Sequence, residues 1–188
     1  RYARPGRGPA GGKGAGATLS EHVSERGPSG PAEGQERAAP RGPDFTKPPR
    51  LNHVALSVPV DALDAGGRAA IAAFYGDVFG FEEYPDLTED RRRLVLRAHT
   101  HEQFVYLIAD EAPMAAPRMD HFGLSVSTLA EFEEVARRAA AWKDREPGAV
   151  DLIEPSYEEY AGALRLHSFY VRYRLPIMVE TQHFEYLL

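Results

Sequence analysis

The sequence predicts an α+β domain built from two consecutive βαβββ units, preceded by a low-complexity extension. Two observations carry that expectation: an octet repeated at an offset of 68 residues, and the same succession of helical and strand-like patterns after each copy. The octets are Leu51-Asn52-His53-Val54-Ala55-Leu56-Ser57-Val58 and Met119-Asp120-His121-Phe122-Gly123-Leu124-Ser125-Val126. Four of the eight positions are identical and the other four are replaced in kind.

Both octets read as strands, because apolar residues alternate with a histidine and small residues. Val54, Leu56 and Val58 in the first copy, and Phe122, Leu124 and Val126 in the second, form a packing face. The other face carries one imidazole with Ala, Gly and Ser beside it, which leaves room for a ligand where a pure core face would be bulkier.

After the first octet, Ile71, Phe74, Tyr75, Val78 and Phe79 recur at helical spacing, with Gly80 placed to stop the helix in a left-handed conformation. After the second, Thr128-Leu129-Ala130-Glu131 fits a capping box, and Leu129, Phe132, Val135, Ala136 and Ala139 fall on one stripe. Strands are then expected over 81–84, 92–98 and 104–108 in the first unit, and over 149–153, 164–173 and 177–184 in the second. The units run over about 51–110 and 119–188 of a single domain at 51–188.

Residues 1–50 differ in kind. They hold ten Gly, eight Pro, nine Lys or Arg and five Asp or Glu, with few large apolar residues, so a disordered extension is expected there. Arg1, Arg4, Arg7 and Lys13 precede the first acid, Glu21, as in a targeting peptide, but the segment lacks an apolar core of secretory length. The remaining residues carry 13 basic and 23 acidic side chains, a balance that argues against a nucleic-acid partner. No run approaches the roughly 18 apolar residues of a membrane span. The chain has no cysteine, which excludes disulfides, thiolate metal sites and cysteine nucleophiles, and a cytoplasmic location is the default expectation.

Two βαβββ units, each opening on a His-bearing strand, resemble the vicinal-oxygen-chelate superfamily of glyoxalases, bleomycin-resistance proteins, fosfomycin-resistance proteins and extradiol dioxygenases. The resemblance covers 51–188. Phe74-Tyr75-Gly76-Asp77-Val78-Phe79-Gly80-Phe81 is similar to the ending of the family's first helix, and Tyr170-Val171-Arg172 leading to Val179-Glu180 is similar to its last hairpin. The hairpin departs from the family at Tyr173-Arg174-Leu175-Pro176, where Asp-Pro-Asp-Gly is usual.

The resemblance implies a curved metal-binding trough with ligands on the first and last strands of each unit: His53, His121 and Glu180. The fourth position falls on Tyr106, with Gln103 as the alternative register, and a phenol with its ordinary pKa of ~10 is a poor ligand at neutral pH. Two imidazoles and one carboxylate leave open coordination positions, as in non-haem Fe(II) oxygenases.

The implied function is an Fe(II) extradiol-type dioxygenase acting on a small catecholic or enolic substrate, with Tyr170 as the active-site phenol. His101, and after it His167, are the candidate acid–base groups, although His167 lies at an odd offset from Tyr170 and so should face the other way. One alternative is a glyoxalase-, epimerase- or fosfomycin-resistance-like enzyme using Mn, Ni, Zn or Co as a Lewis acid. Another is a metal-free protein that binds a small molecule or drug. The family also suggests a homodimer.

Overall fold

The computed structural model describes residues 49–187, so the expected extension over 1–50 lies almost wholly outside the described residues. The described part is α+β, with two four-stranded mixed sheets and two helices, in the order β1 His53–Val58, α1 Ala65–Phe79, β2 Glu82–Glu83, β3 Arg93–Arg97, β4 Phe104–Ala109, β5 His121–Ser125, α2 Leu129–Arg145, β6 Val150–Tyr160, β7 Leu164–Tyr173 and β8 Met178–Tyr186. This is the βαβββ pattern twice over. No described helix is long and apolar enough to cross a membrane.

Each unit closes its sheet in the same way. The first sheet has the order β1-β4-β3-β2 and the second β5-β8-β7-β6, with the opening strand parallel to the last strand and the remaining pairs antiparallel. The two pairs of opening and closing strands also keep equivalent registers. Ala55 lies opposite Tyr106 in the first unit, as Gly123 lies opposite Glu180 in the second.

Local chemistry explains the helix ends. Asp64 caps α1 by accepting a hydrogen bond from the Gly67 amide at 2.7 Å. Gly67 is needed for close approach, since a Cβ there would fall 2.2 Å from the Ala62 carbonyl oxygen. Gly80 ends the helix at φ 72°, in the left-handed region expected of it. Thr128 and Glu131 form the reciprocal capping box of α2, with the Glu131 amide donating to Thr128 Oγ1 at 3.1 Å and the Thr128 amide to Glu131 Oε2 at 3.0 Å.

Strand β6 is the main departure from expectation, running to Tyr160 rather than ending near Ile153. Its register against β7 shifts between Ile153 and Ser156, and Pro155 sits at that irregularity on an edge strand, where its missing N–H costs no ladder bond.

The core lies where the two units meet. Phe74 stacks on Tyr173 at 4.8 Å between ring centroids and meets Trp142 edge-on at 5.3 Å. Trp142 Nε1 donates to Asp77 Oδ2 at 2.7 Å, tying α2 to α1. The Tyr75 hydroxyl is buried and donates to the Tyr173 carbonyl at 3.1 Å while accepting from the Tyr173 amide at 3.3 Å. Burial pushes its pKa well above the ordinary phenol value.

Removing that hydroxyl leaves two backbone groups of Tyr173 without their side-chain partner in a dry core. Tyr75→Phe is expected to destabilise the fold by about 1–3 kcal/mol, read as a lower midpoint in urea with an unchanged slope. A midpoint equal to that of the parent would show that the two units do not depend on this contact.

Candidate metal centre

Strand register assembles the site. On β5, β7 and β8, Gly123, Glu180 and Tyr170 lie directly opposite one another in a single row, with Ser125, Gln182 and Ser168 in the next row on the same face. Alternation along β5 brings His121 to that face as well. The other face packs on α2: Phe169 meets Phe132 edge-on at 5.5 Å, and Val171 and Val179 are fully buried. The packing of the odd-numbered residues of β7 and β8 therefore sends Tyr170 and Glu180 to the open face.

Glu180 is only 7% exposed. Its Oε1 accepts from the Tyr170 hydroxyl at 2.6 Å, and its Oε2 lies 3.3 Å from His121 Nε2. The His121 ring stands edge-on to that of Tyr170 at 5.2 Å. Gly123 leaves space beside the carboxylate, since a Cβ there would come within 3.7 Å of Oε2.

The protonation of His121 follows from its second nitrogen. Nδ1 lies 2.6 Å from the Met119 carbonyl oxygen, which can only accept, so Nδ1 carries the proton. In the neutral ring Nε2 is then a lone pair, and it faces a carboxylate oxygen. Two acceptors directed at one point need a cation between them, either a proton on the ring or a metal ion. This donor set fits a divalent metal. Sequence reading named His121 but missed the Met119 carbonyl, because a backbone oxygen leaves no trace in residue identity.

His53 starts β1 as expected, and its Nδ1 donates to Asn52 Oδ1 at 2.9 Å while the ring stacks on Phe104 at 4.9 Å. Its Nε2 has no hydrogen-bond partner among the described residues. Yet no three His, Asp or Glu side chains among the described residues gather closely enough to hold one metal ion. The structure brings together His121, Glu180 and Tyr170, and leaves His53 outside that group. Tyr106 holds the register position in the first unit that Glu180 holds in the second, opposite Ala55.

The two histidine candidates for acid–base work lie elsewhere. His167 shares a face with Phe169, opposite to that of Tyr170, and its Nε2 meets Glu185 Oε2 at 2.9 Å, with Phe132 at 5.8 Å. That bond holds the Glu185 carboxyl below its ordinary range. His101 is exposed in the turn between β3 and β4, where its carbonyl accepts from the Tyr84 hydroxyl at 3.1 Å. Neither imidazole bonds to Tyr170, Glu180 or His121 among the described residues. His183, opposite His167, is buried against the Val126 carbonyl at 3.4 Å.

Beyond the row lies a charged group that sequence reading did not single out. Asp151 accepts from Arg118 Nη2 at 2.7 Å and from Arg172 Nη2 at 2.9 Å, and its carboxyl is held below the usual range, chiefly by the Arg118 bond.

The Tyr170 phenol is pushed up to about 12, first by its bond to the Glu180 carboxylate and then by burial. A phenol with a raised folded-state pKa contributes stability below its unfolded pKa of ~10, and that contribution is lost as pH rises through the folded value. Ultraviolet difference titration should therefore show one tyrosine ionising near the upper limit. Glu180→Gln should bring that tyrosine back toward ~10. An unchanged titration in the variant would remove Glu180 as the cause.

No protein-family model matches the sequence, and no curated protein matches it. Among solved structures, lactoylglutathione lyase from Agrobacterium tumefaciens is similar at 22% identity, over 72% of this chain and 95% of that one, with a TM-score of 0.48. A glyoxalase/bleomycin resistance protein from Albidiferax ferrireducens is similar at 12% identity, over 71% and 98%, with a TM-score of 0.49. The fosfomycin resistance protein FosX from Listeria monocytogenes, solved as a mutant with Mn(II) and 1S,2S-dihydroxypropylphosphonic acid, is similar at 18% identity, over 70% and 89%, with a TM-score of 0.48.

Proposed function

We propose that the chain is a metal-dependent enzyme acting on a small oxygen-bearing substrate, with His121, Glu180 and His53 as the protein ligands of one divalent cation. The observation that carries this reading is the lone pair of His121 Nε2 facing the buried Glu180 carboxylate at 3.3 Å.

The third ligand is assigned to a second copy. His53 and His121 are repeat-related, each with Nδ1 tied to a neighbouring oxygen, but they do not share a three-donor group within one chain. In a two-fold dimer that set the first unit of one copy against the second unit of the other, each site would receive His53 of the partner subunit.

A divalent ion held this way would polarise a substrate oxygen and keep positions open for it. Tyr170 supplies the proton chemistry. Its hydroxyl stays protonated at neutral pH and gives its one proton to Glu180 Oε1, so it would donate to a substrate oxygen only by turning away from that carboxylate. Glu180 orients that phenol while serving as ligand. Arg118 and Arg172, sharing the single carboxylate of Asp151, leave a positive balance at the end of the sheet that suits an anionic substrate group.

Lewis-acid chemistry on Mn, Ni, Zn or Co, as a lyase, isomerase or transferase, is the reading this arrangement supports best, because one phenol and one carboxylate are its whole acid–base equipment. Fe(II) extradiol ring opening is the second reading, favoured by the two-histidine, one-carboxylate set. It also calls for a further acid–base group, and neither His101 nor His167 bonds to Tyr170. The two readings separate on oxygen: the first predicts turnover without O2, and the second predicts O2 uptake with catechols.

Elemental analysis of anaerobically purified protein should find one divalent ion per chain. His121→Ala and Glu180→Gln should weaken metal binding by more than the roughly 10–100-fold that loss of a supporting hydrogen bond costs. His53→Ala and Glu180→Gln chains produced together should recover roughly a quarter of the wild-type metal, because random pairing makes half the dimers mixed and each mixed dimer has one intact site. Metal-free wild-type protein would sink the enzyme reading, whereas full metal without recovery in the mixture would sink only the shared-site arrangement.

A further inference from the structure

His121 opens β5 at the end of the segment that joins the two units, residues 110–120, which contains no helix or strand. Pro117, Arg118, Met119 and Asp120 are all exposed, and they form a turn closed by the Asp120 amide, which donates to the Pro117 carbonyl at 3.0 Å. The Met119 carbonyl that accepts from His121 Nδ1 at 2.6 Å belongs to this turn. Residues this exposed bury little apolar surface, so the position of the turn rests on the polar contacts that anchor it.

Two such anchors flank Met119. On one side the Asp120 carbonyl accepts from the Met178 amide at 2.8 Å and so joins the ladder between β5 and β8. On the other side Arg118 forks onto Asp151 of β6, with Nε to Oδ2 at 3.1 Å and Nη2 to Oδ1 at 2.7 Å. A planar guanidinium that grips both oxygens of a carboxylate fixes direction as well as distance. Asp151 is held in turn by Arg172, its partner on β7, which donates to Oδ2 at 2.9 Å. Since β5 and β6 are the opposite edges of the second sheet, the turn is tied across the end of that sheet.

We infer that Asp151 is a positioning residue for His121: through Arg118 it holds the turn so that the Met119 carbonyl meets Nδ1, which leaves Nε2 unprotonated and directed at Glu180. The use of that free nitrogen as a ligand rests on the function proposed above, whereas the link from Asp151 to the imidazole rests on contacts within the chain. A neutral imidazole carries one proton, and an acceptor fixed beside Nδ1 keeps the proton there. With the acceptor displaced, the proton is free to move to Nε2, where it meets the Glu180 carboxylate and occupies the place of a cation.

The test uses the full chain, metal-free and labelled with 15N-histidine, at an alkaline pH where imidazoles are neutral. His121 is assigned by the loss of its signals in His121→Gln, and the wild-type ring should be in the Nδ1–H form. Asp151→Ala and Arg118→Met should each lower the ratio of Nδ1–H to Nε2–H about threefold, the size of one exposed ion pair. Arg172→Met leaves the Arg118 fork in place and should lower the ratio less, and Asp151→Glu, which keeps the carboxylate, should restore most of it. A merely structural Asp151 would lower the urea midpoint of Asp151→Ala and leave the ratio alone. Should that variant fail to fold, Arg118→Met changes only an exposed side chain and carries the test. In chains that bind Zn(II), loss of the Asp151 carboxylate should weaken the ion about tenfold. A wild-type ring in the Nε2–H form, or a wild-type ratio in both Asp151→Ala and Arg118→Met, would overturn the proposal. A lowered ratio in a chain that binds no Zn(II) would uphold the positioning role and sink the metal reading alone.

Discussion

A carboxylate taken out of water must find compensation, and Glu180 finds it through strand register alone. At 7% exposure it has one hydrogen-bond donor, Tyr170, directly opposite on β7, and His121 Nε2 lies 3.3 Å from its other oxygen. Sheet register has period two, so a one-residue slip of β8 would turn Glu180 into the apolar layer under α2 and bring Thr181 to the open face. Val179, fully buried against that layer, opposes the slip because it would lose its packing beside Phe169 and Val171. Hydrophobic burial on one face is thus what fixes the polar geometry on the other.

The repeat makes the two units alike in topology while leaving them unequal in chemistry. Each has an opening histidine and a small residue facing the closing strand, Ala55 or Gly123. The closing strands differ at that point, with Tyr106 in the first unit and Glu180 in the second. A phenol cannot balance a cation at neutral pH as a carboxylate can, so the first unit offers an imidazole without a partner acid, and His53 rests on Phe104. An unequal pair of half-sites is what a shared centre between two copies needs, because each half brings what the other lacks.

Much of the fold was legible because its signals are local or repeated. The octets fixed where β1 and β5 begin, Gly80 and the Thr128–Glu131 box fixed two helix ends, and the 164–173 strand was read to the residue. The length of β6 was not legible: expected to end at Ile153, it runs on past Glu154 and Pro155 because pairing with β7 absorbs them in a register shift. At the site, alternation places His167 on the face away from Tyr170, as the strand period predicts, and the matched octets set His121 on the face of Glu180. What no pattern could supply is distance between segments far apart in sequence. His53 is the case in point: its identity and strand were readable, but its separation from His121 and Glu180 depends on how the units meet. Thr181 is another, because its hydroxyl is buried without a partner among the described residues, and an unsatisfied group is invisible until every possible partner has a position.

The placing of Glu180 on β8 has a mechanical reason. Over Met178–Gln182 it is hydrogen-bonded on both sides, by β5 and by β7, whereas β6 runs along the edge and β5 has only one neighbour in its sheet. A strand clamped on two sides opens least readily to solvent, so side chains on it hold their positions best. The two faces of such a strand can then serve different chemistries. Glu180 stands among ionisable and polar groups facing outward, and Thr181 stands among aliphatic and aromatic groups facing the other unit. The same alternation that separates core from surface in any sheet here sets Glu180 and Thr181 on opposite sides of one strand.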